Sequence, residues 1–99
     1  SLSICTEIIN MMSQLIDMAK ELSAVCPADA LCYAAEGVEL ALTAVKITRM
    51  YIVSVAAQSP DETYRYVTCR ENELTLEACS AAAAEVTAKA EESLQTVHD

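Results

Sequence analysis

Between residues 3 and 22, apolar side chains recur by threes and fours: Cys5, Ile8, Met12, Leu15, Ala19 and Leu22. Ile4, Met11 and Met18 add a row on one flank, and Ile9 and Ile16 widen the other. Glu7, Asn10, Gln14, Asp17 and Glu21 form the opposite, polar stripe. This is the period of an amphipathic helix, expected over 3–24, and so broad an apolar face predicts two neighbours in a bundle.

"SAVCPADAL" interrupts the pattern. Pro27 suits the first position of a second helix, where an N–H has no intrahelical partner to lose, and Asp29 stands in the first turn at the positive end of the dipole. From there to Gln58 no Pro occurs, and Gly37 is the one glycine. Glu36, Glu39, Thr43 and Lys46 mark a narrow solvent stripe, so a helix over 27–58 should be the most buried element. Its second half, "TAVKITRMYIVSV", is rich in β-branched residues, which favour pleated surfaces. A strand over 46–55, paired in a hairpin with 63–69, is therefore the alternative, and it would make the fold α+β.

Ser59, Pro60, Asp61 and Glu62 read as a helix start, with Ser59 at the N-cap, Pro60 in the first turn and Glu62 closing a capping box. A helix running on from there meets Arg70, Glu71, Asn72 and Glu73, where every apolar seam is broken. That cluster predicts a joint between a short helix over 60–70 and a longer one over 73–97. The stripe of the last helix is Cys79, Ala82, Val86, Ala90, Leu94 and Val97, and its tail is expected to fray. The expected fold is all-α: one domain over 1–99, an up-down bundle of about four helices (3–24, 27–58, 60–70, 73–97).

Composition agrees with long elements. One Gly and two Pro in 99 residues leave little for tight turns, and 54% hydrophobic residues suffice for a core without Phe or Trp. The net charge of −9 makes nucleic acid and anionic membrane poor partners, because both are held by clustered Lys and Arg. No stretch reaches the roughly 18 apolar residues of a membrane span.

Five cysteines cannot all pair within one chain. Cys26 and Cys32 are the nearest disulfide candidates. Cys5, Cys32 and Cys79 fall on apolar stripes, where a thiol behaves as a small hydrophobe, which slightly favours a reducing compartment. There is no C-x-x-C for zinc or thiol exchange. His98 is the one histidine, next to the last residue, and is a poor general base or metal ligand there. Glu36 with Glu39, and Glu73 with Glu77, share helix faces as solvated carboxylates do. No catalytic residue, metal or cofactor is expected.

The expected function is that of a non-catalytic bundle, a scaffold or protein-interaction module. A designed chain with no evolved activity is one version: the cap at Ser59 and the scarcity of loops fit it, while five Cys and four Met do not. The alternative is a carrier of a small apolar ligand bound between the helices; Met11, Met50, Tyr51 and Arg49 are the candidate lining of such a ligand site or of an interface, with Arg49 meeting an anionic group. A third expectation is a homo-oligomer or protein complex formed through apolar helix faces, since the second element is apolar nearly all round.

Overall fold

The computed structural model describes residues 2–98 along the backbone, with side chains through Gln95. The expectations resting on the side chains of Val97 and His98 and on the fraying tail lie outside the described residues. The chain forms α1 (Leu2–Ser23), α2 (Ala28–Ala56) and α3 (Glu62–His98), with no strand among the described residues. Each helix touches both others, in a body of 58 × 20 × 17 Å.

In α1 the buried row is Ile9, Ile16 and Ser23, seven residues apart, with Leu2, Cys5, Met12 and Ala19 half-buried on the same side. Ile8 and Leu15, at the centre of the expected stripe, are exposed. At 100° per residue the packing direction is turned about 60° from that stripe. The apolar arc of α1 is wider than the surface its two neighbours cover, so the helix settles toward one side of it. The Ser23 hydroxyl donates to the Lys20 carbonyl (2.6 Å) and closes the last turn.

The β-branched half of α2 is helical. Val45 and Ile52 are both buried. Residues seven apart fall on one side of a helix but on opposite faces of a strand, so the helix buries both where a strand would expose one. The α+β alternative, with its hairpin of 46–55 and 63–69, is thereby overturned. The helix also starts later than expected: Pro27 is its extended N-cap (φ −62°, ψ 156°), and its carbonyl accepts from the Ala30 N–H at 3.0 Å.

The start of α3 is shifted as well. Asp61, two residues beyond Ser59, is the cap, its carboxylate accepting from the Tyr64 N–H at 3.1 Å. The Ser59 hydroxyl accepts from the Asp61 N–H (3.2 Å), and the Arg65 guanidinium donates to the Ser59 carbonyl (2.6 Å). The helices expected over 60–70 and 73–97 are one helix of 37 residues. No joint forms at Arg70–Glu73, because only Asn72 of that cluster lands on the inward row that runs through Cys69, Leu76, Cys79, Ala83, Val86 and Ala90. The Asn72 side-chain amide donates to the Thr68 carbonyl one turn back (2.8 Å), which satisfies a polar group there without a break. Arg70, Glu71 and Glu73 face solvent, and Arg70 pairs with Glu73 at 3.2 Å.

The centre of the bundle is Ile16 of α1, Val38, Ala41, Leu42 and Val45 of α2, and Cys79, Ala82, Ala83 and Val86 of α3. Its side chains are small, so the backbones lie close. Ser13 Oγ and Cys79 Sγ, 3.2 Å apart, join α1 to α3 at its edge.

Candidate functional site

Two rows of apolar side chains remain outside this core. On α1 they are Ile4, Ile8, Met11, Leu15, Met18 and Leu22, all exposed, stepping by four and three without interruption. On α2 they are Tyr33, Gly37, Leu40, Ala44, Ile47 and Tyr51 at the same steps, with Tyr33, Leu40, Ile47 and Tyr51 exposed. Both rows lie on the side of the α1/α2 pair away from α3. Against α3 the pair presents other residues: Ser13, Lys20 and Ser23 of α1 meet Cys79, Glu85 and Lys89, and Glu39 of α2 accepts from the Thr87 hydroxyl. The two rows converge on a groove of about 260 Å³ lined by Leu15, Met18, Ala19, Leu22, Ala34 and Gly37, with no polar side chain.

From Ile4 to Leu22 the face runs about 27 Å at 1.5 Å per residue. With a second helix beside it the open apolar surface is contiguous, and contiguous exposed apolar surface of this kind marks contact sites.

The floor of the groove is small-sided. A Cβ built on Gly37 meets no atom within 4 Å, so nothing in this chain requires a glycine there. Glycine inside a helix costs about 1 kcal/mol relative to alanine. Gly37→Ala is therefore expected to raise stability by roughly 0.5–1 kcal/mol, a gain of several degrees in Tm by circular dichroism. A lower Tm would show a packing role that the open space around Gly37 denies.

A second cavity, of about 240 Å³, opens at the start of α1 between α1 and α3. Its polar lining includes Thr6, Asn10, Tyr64, Thr68, Glu71 and Asn72. Hydroxyls, amides and one carboxylate can hold water or a small polar molecule by hydrogen bonds. Neither His nor Cys is among the lining residues. Among the described residues no three of His, Cys, Asp and Glu are grouped to hold a metal, and no helix is long and apolar enough to cross a membrane.

Met11, Met50, Tyr51 and Arg49 line neither cavity. Met11 and Tyr51 belong to the outer rows, and Met50 is exposed. Arg49 is half-buried, with its Nε out of water and without a hydrogen-bond partner. Cys26, in the turn after α1, is a half-buried thiol and Cys32, in the second turn of α2, an exposed one; all five cysteines are free. Glu36 and Glu39 stand exposed on α2, and Glu73 and Glu77 on α3. Sequence reasoning missed the outer row of α2. Its signal was present in the four–three spacing from Tyr33 to Tyr51, hidden because the helix is apolar on most sides.

No family model matches the chain, and neither the curated proteins nor the solved structures contain a match.

Proposed function

We infer that the chain is a non-catalytic, up-down helical module that binds another protein through the outer face of α1 and α2. The up-down order is supported by the contacts of α1 with α3. Ser13 with Cys79 and Ser23 with Lys89 are each 66 residues apart, so the two helices advance together and α2 returns between them. The observation that carries the function is the pair of uninterrupted apolar rows. A helix normally keeps polar residues on its solvent side, and these two helices keep them at neither row.

A scaffold without such a partner has no use for large side chains there. The carrier reading has weaker support, because the apolar groove is open along its length and drug-sized ligands are usually enclosed over most of their surface.

The test is selection from an unbiased display library of ~20-residue peptides on the wild-type chain, counter-selected on a Leu15→Glu/Met18→Glu variant. Both positions are exposed, so the variant should keep the wild-type fold. Amphipathic helical peptides are expected to be enriched on the wild type and not on the variant. Failure to enrich any peptide class over the variant would remove the reading.

A further inference from the structure

We propose that the α1/α2 groove seats one amphipathic helix of another protein, apolar on the side that enters the groove and flanked by Lys and Arg. This rests on the interaction face just described and names its partner by chemistry. The shape argument is the narrow, small-sided floor. Ala19 and Ala34 lie between the taller rows and Gly37 leaves a gap in one of them, with open space above it, so a single helix can approach closely and complete a four-helix arrangement.

The charge argument comes from the rims. One step round from the outer row, α1 carries Glu7, Gln14 and Glu21, and α2 carries Asp29, Glu36 and Thr43. Four of these six are acids, all exposed, and none is in an ion pair among the described residues. No Lys or Arg stands at these rim positions. Lys20, the nearest cation of α1, is turned to Glu85 of α3 at 3.4 Å. A second copy of the chain would bring the same acids against these, whereas a helix with basic flanks meets them with opposite charge. Rim charges of this kind choose the partner and set the association rate.

The experiment uses the full chain and two synthetic, fluorescein-labelled ~18-residue helical peptides. Both carry the same Leu row at four–three spacing; one has Lys flanks and the other Glu flanks. Binding is read by fluorescence anisotropy at low and at high salt. The Lys-flanked peptide is expected to bind at least about tenfold more tightly, and to lose most of that margin at high salt. Leu15→Glu/Met18→Glu is expected to weaken it by about tenfold or more. That variant adds negative charge, so diffuse attraction between a basic peptide and an acidic protein would strengthen binding instead and would overturn the proposal. Gly37→Leu, which fills the groove without touching a rim charge, is expected to weaken binding likewise.

Equal binding of the two peptides would overturn the basic-partner inference while leaving the interaction face standing. Binding of neither peptide, with sedimentation showing a dimer that the double variant abolishes, would make a second copy the occupant. Binding of neither, with uptake on phosphatidylcholine vesicles, would make the face a lipid contact. Binding of neither to a chain that stays monomeric and off vesicles would overturn both the inference and the reading it rests on.

Discussion

Ile16→Ala is expected to remove about 3 kcal/mol of stability, and Leu15→Ala less than about 1 kcal/mol. The two residues are adjacent and of equal size, and nothing in their local sequence separates them. Ile16 has no exposed surface and touches both partner helices through the central cluster. Truncating it leaves a void in the central cluster, whose other members are Val, Ala, Leu and Cys side chains of α2 and α3 that can fill it only in part. Leu15 is 41% exposed, so its truncation forfeits only part of a side chain's burial. Urea denaturation of the two variants reads the difference directly. Equal losses, or a larger loss for Leu15→Ala, would mean that α1 packs on the stripe its sequence centres on.

Glu71→Pro is expected to cost about 3 kcal/mol or more, a drop of roughly 12–25 °C in Tm for a domain of this size. Proline inside a helix removes one backbone hydrogen bond and drives its ring against the carbonyl four residues earlier, here that of Val67. Glu71 is exposed, so Glu71→Ala serves as the control and should change little. The variant separates the two readings of Arg70–Glu73, a joint or the interior of one helix. At a joint between helices proline would be tolerated, and in the interior of one helix it is not. A Tm within a few degrees of the wild type would restore the joint.

The errors in reading the sequence have one physical origin, which is that this chain carries more apolar periodicity than its own bundle uses. Helix α1 was legible because its polar stripe is clean, but its arc is so wide that the phase of packing could not be fixed from the arc alone. Helix α2 was legible against its β-branched run because Ala-rich flanks and the lack of a turn outweighed local propensity. The continuity of α3 was not legible. The cluster Arg70–Glu73 breaks every apolar seam and so reads as a joint, yet only Asn72 of it faces inward, and its amide bonds to the carbonyl of Thr68 on the same helix. For the site, Met11 and Tyr51, read from the sequence as lining an apolar-ligand site or an interface, stand on the open face. Which sides of α1 and α2 α3 leaves bare depends on how the helices lie against one another, and that is a tertiary fact.

The two turns, residues 24–27 and 57–61, are short. Each neighbouring helix pair can therefore begin to zip from its own turn, before distant parts of the chain have met. Loop closure then takes little entropy at each step, and the topology belongs with those that fold in microseconds to milliseconds. For a chain that keeps an apolar face open, speed has a particular value. The interval in which both the core side chains and the outer rows are exposed together is brief, and with it the interval in which two chains can associate through them.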